Sequence, residues 1–288
     1  MFQYSIEQWV FFFYLYCLFG WCFESSYVSL KTGHFVNRGF MRGPFLPIYG
    51  SGAIMMLVVS APFSNMQVPG RYVLIYVAGC IGATVLEYVT GVVMEALFKV
   101  RYWDYSNKPF NFQGHICLSS TLAWGALTVL VTEYLHKPFE RFVLGIPDTL
   151  LSVCTVALTA VISADFVLSF KAALDLRDVL VRMEKVREEM AHMQKRLDVL
   201  IALTGEELEK YRDEVGELRD RYKLHMADKA RLTEMRDAIQ RHMLRSNPSM
   251  MSVHFGEALK ELQEKLEQEM QEKRLQLQEK KQQLRGKR

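Results

Sequence analysis

The run YVLIYVAGCIGATVLEYVTGVVMEALF, residues 72–98, carries two charged side chains, Glu87 and Glu95. A bilayer's hydrocarbon core is crossed by roughly 20 helical residues, so this stretch is long enough to span it. It has no wide charged face of the kind a water-exposed helix presents, and this excludes a core helix of a soluble bundle. Four more runs of the same character lie at 8–30, 44–64, 116–135 and 142–170. The breaks between them hold charges and turn residues such as Lys31-Thr32-Gly33, Val68-Pro69-Gly70 and His136-Lys137-Pro138. The first run is read as a retained helix, because Lys31 is the first basic residue and no small-residue cleavage site follows.

Averages over the chain hide this organisation. The 288 residues carry a formal net charge of +3, and the mean hydropathy is +0.02. Up to Phe170 there are 9 basic and 9 acidic residues, and beyond it 26 and 23. The first part is too apolar for a soluble domain, and the second too polar for a globular core of its own. The expected fold is all-α: a polytopic bundle over 1–170 with five transmembrane helices, a long cytoplasmic coiled-coil stalk over 171–246, and a charged helix over 247–288. Of the nine basic residues before Phe170, six flank the loops at 31–43 and 99–115. Placing those loops inside puts the N-terminus outside and the tail in the cytoplasm of a plasma-membrane protein.

In the tail, Val179, Met183, Val186, Met190, Met193, Leu197, Ile201, Thr204, Leu208, Tyr211, Val215, Leu218 and Tyr222 recur at steps of three and four, with an extra step of four at Leu197–Ile201. This is a heptad seam with a stutter. No proline interrupts 171–245, so an unbroken helix would run about 110 Å at 1.5 Å per residue. A helix of that length must hide its seam. A second copy of the chain or the helix after Pro248 folded back are the two candidate partners, and the latter is too short to cover the whole stalk. Homo-oligomerisation through the coiled coil is therefore the favoured expectation.

No phosphate-binding loop, dinucleotide fingerprint, nucleophile elbow or zinc-protease helix occurs, so no enzymatic activity is expected. Cys17, Cys22, Cys80, Cys117 and Cys154 sit in apolar runs without metal-ligand spacing; neither metal nor cofactor is anticipated. Basic residues of the tail are matched by acidic ones, which argues against nucleic acid as a partner.

Intramembrane carboxylates and the two basic loops remain as candidates. Glu24, Glu87, Glu95 and Asp165 are costly in hydrocarbon and should face the bundle interior. Thr84, Glu87, Gly91 and Glu95 share one helix face; a structural reading makes them interhelical hydrogen-bonding glue. The loop through Arg38, Gly39, Arg42, Gly43 and Pro44, and the loop through Arg101, Asp104, Asn111 and His115, each lead into a helix start on the same side. Guanidinium forks beside helix N-termini suit an anion such as a phosphate, a carboxylate or a lipid headgroup. The ligand-binding candidates are Arg38, Arg42, Arg101, Asp104, Asn111, His115, Glu87 and Glu24. His115 and Asp104 could alternatively serve as acid and base of a membrane enzyme acting on lipid headgroups.

Two stretches carry a family resemblance. Asn37-Arg38-Gly39-Phe40-Met41-Arg42-Gly43-Pro44-Phe45-Leu46-Pro47-Ile48-Tyr49-Gly50-Ser51-Gly52-Ala53 is one; Arg101-Tyr102-Trp103-Asp104-Tyr105-Ser106, Pro109-Phe110-Asn111, Gly114-His115-Ile116-Cys117-Leu118 and Trp124-Gly125 make up the other. Both resemble the putative ABC-transporter type IV family, also called CmpB-like, over roughly residues 8–165. The resemblance implies a bacterial, permease-like integral membrane protein, and any ATP-driven transport would need a separate nucleotide-binding subunit. A membrane-anchored coiled-coil scaffold that organises cytoplasmic partners is the alternative.

Overall fold

The computed structural model describes residues 4–64, 66–202, 209–234 and 238–285. The chain is helical almost throughout and divides into two compact units: Met1–Ala173 with His242–Met251, and Leu174–Arg241 with Ser252–Arg288.

In the first unit, α1 (Ile6–Thr32) starts at a capping box, in which Ser5 Oγ accepts the Gln8 N–H and the Gln8 side chain accepts the Ser5 N–H. It ends at Gly33 in the left-handed region, φ 70°. Helix α2 (Pro47–Ser64) and α3 (Arg71–Phe98) follow, each packed on its predecessor. Along α3, Val73, Val77, Ile81, Val85, Val89 and Val93 form an exposed aliphatic row at every fourth position. On the other side Ile75, Gly79, Ala83, Glu87 and Gly91 are buried. An apolar outer ridge over a small and polar inner face is the inverse of a soluble helix, and it suits a lipid surround.

After α3 the chain forms a two-residue hairpin, β1 (Asn111–Phe112) with β2 (Ile116–Cys117), an element absent from the sequence-based expectation. Helix α4 (Leu118–Leu130) runs into a π-helical turn, Val131–Leu135, and on into α5 (His136–Leu144). The His136 N–H reaches back five residues to the Val131 carbonyl. Pro138 has no N–H to donate to the carbonyl of Tyr134, four residues back, and the widened turn lies just ahead of it. The expected break at His136-Lys137-Pro138 is therefore helical, and the chain breaks instead at 145–147, before α6 (Asp148–Ile201).

Among the described residues, four helices are long and apolar enough to cross a membrane: α1, α2, α3 and the first part of α6. The expected run 116–135 starts in β2 and is α-helical only over the 13 residues of α4 before the π turn. Helix α4 nevertheless lies antiparallel to α3 along its course. Thr84 bonds Thr121, Gly79 abuts Thr128, and Arg71 pairs with Glu133. The core of this unit gathers Phe11, Phe12, Tyr16, Ala53, Met56, Leu57, Ala83, Val131, Val143 and Leu151.

In the second unit the unbroken stalk expected over 171–245 does not form. Helix α6 ends at Ile201, and α7 (Arg212–Glu234) returns antiparallel beside it, with Arg196 paired to Glu214 and His225 to Glu189. Helix α8 (Ala238–Ser246) is short, and α9 (Gly256–Arg285) runs alongside α7 through Lys229–Glu261 and Lys265–Thr233, and touches α6 at Arg187–Glu257. Leu180, Met183, Leu259, Leu262 and Leu266 are buried. Of the predicted seam, Met183 is covered within the chain, whereas Ile201 and Tyr211 are exposed. Of the predicted seam residues, Thr204 and Leu208 lie outside the described ones.

Candidate functional site

The loops at 33–46 and 99–117 occupy the same end of the first unit, as the sequence predicted. Hydroxyls in the last turns of α1 anchor the first loop: Ser25 Oγ accepts the Arg38 N–H at 3.1 Å and Ser29 Oγ the Val36 N–H at 2.9 Å. Asn37 accepts from the Trp21 indole and donates to the Arg42 carbonyl. Arg38 is thereby turned toward the bundle, with Nε 3.7 Å from Glu24 Oε2; the other Glu24 oxygen accepts from the Tyr49 hydroxyl at 2.7 Å. Asp165, expected near the end of its span, accepts the Gly43 N–H at 2.8 Å and so fixes the loop's exit.

The second loop encloses a compact charge cluster. Arg101 donates through Nε to Glu95 at 2.8 Å and through Nη1 to Asp104 at 3.2 Å, and His115 Nε2 lies 3.1 Å from the same Glu95 oxygen. Burial works against the charge on Arg101, but the two carboxylates prevail and hold its pKa above the ordinary value. Burial, with the Arg101 charge next to it, pushes the His115 pKa below the ordinary value against the opposing pull of Glu95 and Asp104. A neutral imidazole with Nε2–H donating to Glu95 satisfies that geometry.

Glycines make the cluster possible. Gly114 sits at φ 74°, and a Cβ there would lie 2.5 Å from Asp104 Oδ1 and 2.6 Å from Arg101 Nη1. Gly91 of α3 leaves the space into which the His115 ring packs. Asn111 ties the loop together, donating to the carbonyls of Ser106 and Lys108 and accepting the Gly114 N–H.

Below the cluster, Glu87 is buried at 5% exposure and accepts three hydrogen bonds, from Tyr105 at 3.1 Å, Ser120 at 3.2 Å and the Trp124 indole at 2.9 Å. Burial, reinforced by the neighbouring carboxylate, keeps the Tyr105 hydroxyl protonated well above its usual range, so it remains a donor. Phe40 of the first loop packs on Tyr102 of the second, ring centroids 6.0 Å apart, so the two loops lie side by side. The polar face of α3 foreseen from Thr84, Glu87, Gly91 and Glu95 is directed at α4 and this loop.

Sequence reasoning missed a third component. His242–Met251 belongs to the membrane unit and docks on both loops. Arg38 Nη1 donates to the Ser246 carbonyl at 3.0 Å and to Asn247 Oδ1 at 3.3 Å, and Nη2 to Ser249 Oγ at 3.4 Å. Asn247 Nδ2 donates to the Gly39 carbonyl, His242 Nε2 meets the Met41 carbonyl, and Met243 sulfur accepts from Tyr102. Arg101 and Met251 exchange backbone hydrogen bonds at 2.7 and 3.0 Å. Met243, Leu244, Ser246, Asn247 and Met250 are buried. One signal was available: 246–256 holds no Lys, Arg, Asp or Glu inside a tail where those residues are otherwise dense.

The two arginine forks differ as a consequence. That of Arg101 is consumed by carboxylates, while the Nη nitrogens of Arg38 face neutral oxygens of the chain and its Nε alone lies near a carboxylate, Glu24. Arg42 is exposed and makes no side-chain hydrogen bond or ion pair among the described residues.

Residues 11–170, which include both loops, the polar face of α3 and Asp165, match the model of the family described as Putative ABC-transporter type IV. The chain belongs to this family. No curated protein and no solved structure matches it. Residues 242–251 of this ABC-transporter-type chain, with the rest of the tail, lie outside the matched region.

Proposed function

We propose that this family member is a multi-pass, permease-like protein of a bacterial plasma membrane whose loop face is the cytoplasmic mouth, with Arg38 as the anchor for an anionic ligand. The observation that carries the reading is the charge balance of the mouth. Arg101 is matched by Glu95 and Asp104, whereas Arg38 has one looser contact to Glu24, and Arg42 beside it is exposed. The less closely paired cations of the site are on the first loop. Glu24, Glu87, Arg101, Asp104, Asn111 and His115 hold the walls in place.

A fifth crossing through α4 and its π turn is supported by their antiparallel course beside α3, from Glu87–Ser120 to Arg71–Glu133. The six basic residues on the loop face support an outside N-terminus and a cytoplasmic tail. With no ATPase motif in the chain, energy would come from a separate nucleotide-binding subunit, and no chemistry of its own is assigned to the mouth.

The test compares Arg38→Ala with Arg101→Ala in a deletion strain, read by membrane abundance, by binding of inorganic phosphate, and by metabolite and lipid profiles. Arg38→Ala should lose ligand binding and fail to restore the profile at normal abundance, whereas Arg101→Ala should lower abundance by leaving Glu95 and Asp104 without their shared cation. Full restoration by Arg38→Ala overturns the reading. The scaffold alternative, including self-association through the tail, draws support from the second unit having its own apolar interior. Removing 252–288 should leave phosphate binding intact under the permease reading and erase the phenotype under the scaffold reading.

A further inference from the structure

Arg38 presents its two Nη nitrogens to three oxygens of a single turn: the Ser246 carbonyl, Asn247 Oδ1 and Ser249 Oγ. The turn is closed by the Met250 N–H donating to the Asn247 carbonyl at 3.0 Å. Several acceptor oxygens gathered on one guanidinium is how a phosphate-type oxyanion is gripped, except that here the oxygens carry no charge. The turn is held independently of Arg38, by Asn247 Nδ2 on the Gly39 and Met243 carbonyls and by the paired backbones of Arg101 and Met251.

We propose that the 246–249 turn is a built-in stand-in for an oxyanion: it competes with the ligand for Arg38, and a phosphate-type ligand binds by displacing His242–Met251 from the two loops. This rests on the reading of Arg38 as the anion anchor. The turn's oxygens make bonds that are charge-assisted from the donor side alone, whereas an ionised oxyanion adds the attraction of opposite full charges, so the ligand wins the fork while the backbone anchors set the threshold. Arg241 and Ser252, on either side of the docked segment, belong to the second unit.

The experiment uses the full chain in phosphatidylcholine nanodiscs and follows hydrogen exchange of peptides covering 242–252, with α3 amides as the fold control. Inorganic phosphate is titrated in one arm, and phosphatidylglycerol replaces part of the phosphatidylcholine in the other. The Met251 amide, bonded to the Arg101 carbonyl, should be protected at the start and exchange about tenfold faster once the anion binds. A response to phosphate alone assigns a soluble ligand, and a response to phosphatidylglycerol alone assigns a headgroup.

Asn247→Ala should exchange rapidly with no anion present and bind phosphate about tenfold tighter, because the competitor has been weakened. Ser249→Ala, a milder change, should move both readouts in the same direction by less. If Arg38→Ala abolishes phosphate binding while Asn247→Ala and Ser249→Ala bind like wild type and the segment's exchange does not respond to the anion, the competition is overturned and the anion site stands. If Arg38→Ala binds phosphate like wild type, the site itself is overturned and the competition with it.

Discussion

Gly114 and Glu87 show how much of this protein turns on single positions. At Gly114 the backbone adopts φ 74° and three polar atoms lie within 2.6 Å of any added Cβ. Gly114→Ala is expected to cost roughly 1–3 kcal/mol through left-handed strain alone, before the displaced Arg101 and Asp104 are counted. A thermal melt of the detergent-purified protein checks this, and an unchanged midpoint contradicts it. Glu87 was legible as a residue that must face inward, since a carboxylate in an apolar run has to find donors. Its three donors were not legible, because Tyr105, Ser120 and Trp124 come from separate places in the sequence. Glu87→Gln is expected to destabilise by about 1–3 kcal/mol, since an amide nitrogen cannot accept from the donors it would face. Equal melting midpoints for Glu87→Gln and wild type would overturn that.

At the scale of elements, hydropathy located α1, α2 and α3 closely, because a long uncharged run has one favourable use. It was less informative around α4. The run 116–135 divides into β2, a short α-helix and a π turn, and these divisions depend on Pro138 and on packing against α3 more than on apolarity. Arg71 and Glu133 brace that turn to the start of α3, with Arg71 also donating to the Ser64 carbonyl. Glu133→Ala should cost about 1–3 kcal/mol by stranding a partly buried guanidinium, and Arg71→Ala with Glu133→Ala should recover part of it. A double variant no more stable than Glu133→Ala would contradict the coupling. The tail shows a different limit: of the 3-and-4 seam Met183 is buried while Ile201 and Tyr211 are exposed, because periodicity does not say where a helix turns back. Intramolecular α6–α7 pairing replaces the continuous rod.

At the scale of the whole molecule, the docked segment introduces a pH response. Burial holds the His242 pKa below the ordinary value of about 6.5; Arg42 and Arg245 act in the same direction, and the Met41 carbonyl and Asp165 oppose them. A histidine kept neutral in the docked state stabilises docking above its undocked pKa, and that contribution is lost as pH falls through the docked value. Exchange of the 242–252 peptide, corrected for intrinsic rates, should therefore accelerate between pH 7.5 and 5.5. His242→Gln should flatten the dependence; a dependence that survives the substitution assigns the effect to another group.

A helical membrane body, the face on which its loops gather, the inward direction of its carboxylates, the membership of a transporter-related family and a charged tail were all legible in the chain's composition and spacing. These follow from the hydrophobic effect and from the cost of burying charge, both of which act through local composition and periodicity. The pairing of Arg101 with Glu95 and Asp104, the return of α7 along α6 and the docking of residues 242–251 on Arg38 emerge from long-range packing. Those outcomes depend on which polar group reaches which partner. Arg38 and Ser246 are separated by more than two hundred residues of chain, and no local pattern records their meeting.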